Sequence, residues 1–264
     1  MRRCIVSLLA FFVIMGVYAA GHPDIHVVIL GDSNTSIGGD SCNGEKGWNK
    51  WFKERFAPAS CISYARSGAT WTNTSQTKYN VVENTAKLSK DNVIYNQVNR
   101  LVQACEKGEQ AKPQLVIIAA GTNDAWFSSA RPGVFSKTPS QAFEYQDAFI
   151  TGKPVAQVLS LAESVRYVCE MLMEHFPDAQ IVLLTPLQSV AVGSEGIRKV
   201  GDIIERCGQY MGINVIRQDY GCSVYGVQEK VKKTHTYDGT HTDVAGAKKN
   251  GYYIANRIEA ILQM

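Results

Sequence analysis

Several things that would assign this chain quickly are missing from it. There is no Cys-x-x-Cys and no Cys/His cluster of the spacing that holds zinc. There is no Gly-x-Gly-x-x-Gly and no Gly-x-x-x-x-Gly-Lys-Ser/Thr, so a phosphate cradle has no support. Charge is scarce and balanced, with charged residues at 19% and 27 Lys+Arg against 24 Asp+Glu. That balance gives no reason to expect nucleic acid or an anionic membrane as a partner. Internal repeats, linkers and low-complexity tracts are also lacking, so no boundary divides the 264 residues. Apolar runs are short everywhere but at the N-terminus, where Ile5 to Val17 follows Arg2 and Arg3.

That N-terminal pattern reads as an export signal. It has a positive start, a short apolar stretch and small residues around Ala19 and Ala20. The stretch is short for a membrane span, and polar sequence follows at once; the alternative is an uncleaved anchor. We expect residues 1–20 to be a signal peptide and 21–264 one catalytic domain, exported to the periplasm or beyond. No stable membrane insertion is expected once the signal is gone. Cys4 leaves with it, and six cysteines remain: Cys42, Cys61, Cys105, Cys169, Cys207 and Cys222. An even number in an exported chain permits disulfides. Cys207 and Cys222, close in sequence, are the first pair to expect, while several of the six could equally be small buried hydrophobes.

Short apolar runs alternate with longer amphipathic ones. Strands are expected at Ile25 to Leu30, Cys61 to Ala65, Leu115 to Ala120, Ile181 to Leu184 and Ile213 to Ile216. Helical periodicity covers Glu45 to Phe56, Asn92 to Lys107, Ala156 to Phe176, Glu195 to Met211, and Val244 to Leu262, the last capped by Thr242 or Asp243. Five such strands separated by helices imply a parallel sheet covered on both faces. The fold class is therefore α/β, a flavodoxin-like, doubly wound three-layer α/β/α sandwich. Two stretches break the alternation, Thr70 to Asp91 and the aromatic-rich Ala125 to Pro154. Both leave strand ends, and they read as binding loops or as surface excursions with a small core of their own.

In doubly wound sheets, sites gather beyond the carboxyl ends of the strands. There lie Gly31-Asp32-Ser33-Asn34, Ser67-Gly68 and Gly121-Thr122-Asn123-Asp124, with Asp238-Gly239-Thr240-His241 before the last helix. Taken singly, each is ordinary turn composition. Together they supply the parts of nucleophilic catalysis: a hydroxyl, a base, a group that orients the base, and donors for an oxyanion. Ser33 is the candidate nucleophile and His241 its base. Asp238, three residues before His241, can fix the imidazole tautomer. His235 is a rival base that lacks an acid at that offset. Gly68 offers an unobstructed N–H and Asn123 a neutral NH₂ donor. Asp32 and Asp124 are expected to bind loop backbone.

These four blocks resemble the GDSL/SGNH hydrolases, which are known by Ser, Gly, Asn and His in that order. Ser33 in GDSN, Gly68 in ARSGAT, Asn123 in GTND, and Asp238 and His241 in DGTH match the blocks, and the resemblance runs from Val27 to about Leu262. Two positions depart from the pattern: Tyr64 and Ala65 stand where Asn is often found upstream of Gly68, and Thr242 follows His241 where Pro is common. The resemblance implies a serine esterase working through acyl-Ser33. Its oxyanion hole would be formed by the Ser33 and Gly68 N–H groups and the Asn123 side chain, with no metal or cofactor. Trp126 and Asn34 are expected to contact substrate, with core packing as the alternative for Trp126. The loops mix Trp, Tyr, Asn, Thr and Arg and no long apolar lid is evident, which favours an O-acetyl or acyl ester of a carbohydrate over lipid esters or thioesters. A glycan-binding protein without activity would be expected to have lost Ser33, His241 or the donors. The nucleophile elbow Gly-x-Ser-x-Gly of ordinary α/β-hydrolases is absent.

Overall fold

A computed structural model describes residues 21–83, 87–145, 147–222 and 224–263. The expected signal, residues 1–20, lies outside the described residues. The strands are β1 (His22–Gly31), β2 (Pro58–Ser63), β3 (Leu115–Ala119), β4 (Gln180–Leu184) and β5 (Asn214–Ile216), in the order β2-β1-β3-β4-β5 and all parallel. Helices α1 (Ser33–Ser36), α2 (Trp48–Phe56), α3 (Ile94–Glu106), α4 (Thr122–Trp126), α5 (Pro139–Ala142), α6 (Leu161–His175), α7 (Ser194–Met211), α8 (Gln218–Gly221), α9 (Gly226–Val231) and α10 (Val244–Leu262) connect them.

Period-two side-chain alternation splits the core into two layers. Val28, Leu30, Val116, Ile118 and Leu183 face α3, α6 and α7 through Ile94, Val98, Leu101, Val165, Leu172 and Ile204. Val27, Ile29, Ile117, Val182 and Leu184 face α2 and α10 through Phe52, Phe56, Ile254 and Ile258. This is the three-layer α/β/α sandwich expected from the sequence. β1 passes to β2 on one side and the chain returns to β3 on the other, so the strand order reverses between β1 and β3. In such sheets this switch point, beyond the strand ends, is where ligands bind.

Element boundaries move for local reasons. α6 starts at Leu161 rather than Ala156, because Ser160 accepts the Glu163 amide at 3.2 Å and caps the helix there. Residues Val155–Gln157 form a separate 3₁₀ turn. α2 begins only after Gly47. β2 starts at Pro58, a residue that an edge strand accepts in its first position. Asp243 caps α10, accepting the Gly246 amide at 2.8 Å.

The expected Cys207–Cys222 pairing is not found. Cys207 lies in the α6/α7 core with its thiol toward the Ala162 carbonyl, while Cys222 packs with Leu187 and Val224 in a separate cluster. All six described cysteines are free thiols.

The two long excursions are fastened down. Asp124, on α4, accepts the Trp71 and Thr72 amides at 3.0 and 2.9 Å and the Thr72 hydroxyl at 2.7 Å. Arg166 donates to the carbonyls of Ala142, Tyr145 and Ala148, and Glu170 accepts the Ile150 amide. Phe143 is buried at the centre of the second excursion. Trp71 of the first excursion and Val134, Ala142 and Phe143 of the second are buried in the same core as α3, α6 and α7, so neither excursion carries a core of its own.

Candidate active site

β1 stops at Gly31 because the chain there has almost no room. A Cβ on Gly31 would lie 2.6 Å from the Ala119 carbonyl and 2.8 Å from the Thr35 hydroxyl. The Gly31 amide and carbonyl are held by the Gln97 side chain at 2.8 Å each, and the Asp32 amide donates to the Ala119 carbonyl. Asp32 then caps α1 through the Asn34 amide, so Ser33 is the first residue of the helix at the sheet edge. No acceptor takes the Ser33 amide among the described residues.

The segment before α10 closes on Ser33 from the other end of the chain. Gly239, at φ +91°, lets residues 238–241 turn tightly. Asp238 Oδ1 accepts the amides of His241 and Thr240 at 2.7 and 2.9 Å, and Asp238 Oδ2 lies 2.7 Å from His241 Nδ1. His241 Nε2 stands 2.9 Å from Ser33 Oγ, across 208 residues of sequence. With Asp238 accepting from Nδ1, the tautomer that leaves Nε2 as acceptor is the one the contacts favour. Burial raises the Asp238 pKa, but the amides of His241 and Thr240 and the imidazole outweigh it and hold the carboxyl below its usual range. The site is open: the His241 side chain keeps 22% of its exposure and that of Asp238 keeps 41%.

Gly68 and Asn123 sit on the neighbouring strand ends. The Arg66 amide donates to the Gly31 carbonyl at 3.1 Å, which brings the segment before Gly68 alongside the Ser33 turn. Gly68 has φ +76°, and a Cβ there would run into the Lys87 carbonyl, so only glycine fits. Asn123 Nδ2 donates to the Ala69 carbonyl at 2.9 Å, and one N–H of that amide remains for another acceptor. The structure therefore brings Ser33, His241 and Asp238 into one bonded relay and ties Asn123 to the loop of Gly68.

The other sequence candidates divide. Trp126 is 40% exposed at the end of α4 and stacks on Phe127. Asn34 is buried and borders a small internal cavity with Asp32, Trp48 and Thr122, a position that suits holding the turn better than meeting a substrate. His235 meets Lys249 Nζ at 2.8 Å and has no contact with Ser33. Asp32 is buried, and desolvation raises its pKa to about 6 against the pull of the Asn34 amide, the Thr122 hydroxyl and the His241 charge. A cavity of about 340 Å³ between Asn73, Gln76, Lys90, Arg131 and Pro132 is not lined by Ser33 or His241. Among the described residues no group of His, Cys, Asp and Glu could hold a metal ion, and no helix is long and apolar enough to cross a membrane.

Three supporting residues escaped the sequence reading. Gln97 has a signal, since it occupies the apolar stripe of α3 between Ile94 and Leu101, where a polar side chain needs a partner. Glu229 has none. Its buried carboxylate accepts the amides of Thr234, His235 and Thr236 and the hydroxyls of Thr234 and Thr236, organising the turn that leads into Asp238. Tyr237 stacks on the His241 ring at 5.8 Å between centroids, and Lys46 Nζ lies over the Tyr237 ring, 4.8 Å from its centroid.

Solved structures share this architecture. A carbohydrate acetylesterase family member from Sinorhizobium meliloti is 14% identical with a TM-score of 0.55, covering 91% of this chain and 100% of that one. An acetyl xylan esterase is 15% identical with a TM-score of 0.53, covering 89% and 99%. A possible lipase from Chitinophaga pinensis is 14% identical with a TM-score of 0.54, covering 91% and 98%. At these identities the likeness is one of fold. Comparison of the sequence with curated proteins finds no match. Residues 29–249 match the GDSL-like Lipase/Acylhydrolase family, a span that includes all four blocks. The chain belongs to that family and is an ester-bond hydrolase.

Proposed function

We propose that the protein hydrolyses short acyl esters of carbohydrates through an acyl-Ser33 intermediate. The observation that carries this reading is the unbroken relay from Asp238 through His241 to Ser33, at 2.7 and 2.9 Å. In the first half-reaction His241 Nε2 takes the Ser33 proton as Oγ attacks the ester carbonyl. The oxyanion is met by the Ser33 and Gly68 amides and the second N–H of Asn123. His241 then gives its proton to the departing alcohol, and Asp238 stabilises the imidazolium that exists between these events. In the second half, His241 takes a proton from water, the hydroxide attacks the acyl carbonyl, and Ser33 leaves with that proton.

The substrate class rests on the rim. The relay is open to solvent, Tyr237 presents an exposed ring stacked on His241, and Trp126 is exposed at the end of α4, aromatic surface of the kind that stacks on sugar rings. The fold is also that of an acetyl xylan esterase and of a carbohydrate acetylesterase family member. The export expected from the N-terminal sequence pattern supports this reading, because polymeric glycans are met outside the cell. No cofactor enters any step.

The test is release of acetate from acetylated xylan and acetylated monosaccharides, beside p-nitrophenyl esters from acetate to decanoate. Acetate release with falling activity at longer chains is expected. Efficient decanoate hydrolysis without acetate release from glycans would move the substrate to lipid esters.

A further inference from the structure

Cys42 and Cys61 meet in the interior. Their sulfurs are 3.6 Å apart, across 19 residues of sequence, and both side chains are buried. Cys61 lies on β2 facing α2, and Cys42 lies in the loop that joins α1 to α2. The two stand as thiols here, but a bond needs only ~2.05 Å between sulfurs, a difference that small side-chain rotations cover. We propose that Cys42 and Cys61 form a structural disulfide, which pins the loop following the Ser33 turn to the strand leading to Gly68.

The surroundings favour this pair over the other cysteines. Cys42 has φ +55°, unusual for a residue with a Cβ, and is held there by the Cys42 and Asn43 amides bonding the carbonyls of Gly39 and Gly38. The Asn49 amide donates to Cys42 Sγ at 3.4 Å, and Lys53 Nζ fastens Ser41 and Asn43 on either side. These donors and the nearby ammonium support a thiolate at Cys42, the species that attacks a disulfide. Cys169 and Cys207 share the core between α6 and α7, but Cys207 directs its thiol to the Ala162 carbonyl and no sulfur–sulfur contact joins the two among the described residues, while Cys222 lies in a separate cluster.

The oxidant is an external disulfide, small or protein-borne. Cys42 thiolate attacks one of its sulfurs and expels the first thiolate. Cys61 thiolate then attacks Cys42 Sγ in the mixed disulfide and expels the second. The protons lost from Cys42 and Cys61 end on the two departing sulfurs, so the pair is oxidised by two electrons and the oxidant reduced by two. Because both sulfurs are buried in the finished fold, exchange occurs before the 37–47 loop packs. Once formed, the bond is shielded from reductants.

The experiment refolds the purified protein in a glutathione redox buffer, alkylates it in denaturant so that burial protects nothing, and maps the peptides by mass spectrometry. A Cys42–Cys61 linked peptide, two hydrogens lighter than the sum of the free peptides, is expected, with Cys105, Cys169, Cys207 and Cys222 alkylated. Cys61→Ser should then render Cys42 alkylated. Wild type refolded under reducing conditions, so that the bond never forms, should have a Tm lower by roughly 5–10 °C than the protein refolded in the redox buffer. Alkylation of both Cys42 and Cys61 in the wild type, or linkage of either to another cysteine, would overturn the proposal. That readout does not depend on the variant folding.

Discussion

Asn123 has one amide hydrogen committed to the Ala69 carbonyl and one left for substrate. Asn123→Ala should therefore lower kcat for p-nitrophenyl acetate by ~10²–10³, with a smaller change in KM, as loss of one oxyanion donor does elsewhere. An unchanged kcat would assign Asn123 to loop fastening alone. Asp32 supplies a second test at this scale. Its pKa of about 6 lies above its ordinary 3.8 because it is buried, so ionisation costs the folded state stability. By linkage that cost is absent below about pH 4, grows as the pH rises, and is complete above about 6. Asp32→Asn should remove this component, so that stability changes less between pH 4 and pH 7 than in the wild type, measured by denaturant unfolding across the range. An identical pH dependence in the variant would contradict the burial argument.

At the scale of elements, the triad is held by residues that never touch a substrate. Gln97 on α3 satisfies both backbone groups of Gly31 at the end of β1. Gln97→Leu would leave the buried Gly31 N–H unpaired, while the Gly31 carbonyl keeps the Arg66 amide. Unfolding free energy should fall by ~1–3 kcal/mol, and catalytic activity should fall with the displaced turn. Glu229 does the same for the turn that precedes Asp238. Burial raises its pKa, but the hydroxyls of Thr236 and Thr234 and the amides of His235 and Thr234 outweigh it and bring it to about 2, below its ordinary 4.5. Its contribution is thus fully present above pH 4.5 and is lost as the pH falls toward 2. Glu229→Gln should flatten acid denaturation in that window and lower Tm at pH 7. Equal acid sensitivity of variant and wild type, followed by circular dichroism, would remove this role.

Across the whole molecule, the sheet and the four blocks were legible because each rests on a local pattern. Five β-branched apolar runs mark buried strands, and Gly31, Gly121 and Gly239 mark turns after or beside them. What stayed hidden depends on contacts between distant segments. Nothing near Cys42 in sequence points to Cys61 rather than Cys207, and proximity along the chain favoured the wrong partner for Cys222. Glu229 reads as one more charged helix residue until five donors converge on it. Asn34 follows Ser33 directly, yet the turn of α1 buries its side chain. The start of α6 was readable after all, in Ser160-x-x-Glu163, a capping pattern that the longer apolar periodicity obscured.

The central claim is that Ser33 carries the acyl group, and its most direct test is hydrolysis of p-nitrophenyl acetate by the wild type and by Ser33→Ala. The account predicts that the variant, folded as judged by circular dichroism, loses at least ~10⁴ in kcat. Activity unchanged in Ser33→Ala would contradict it and remove Ser33 as the nucleophile.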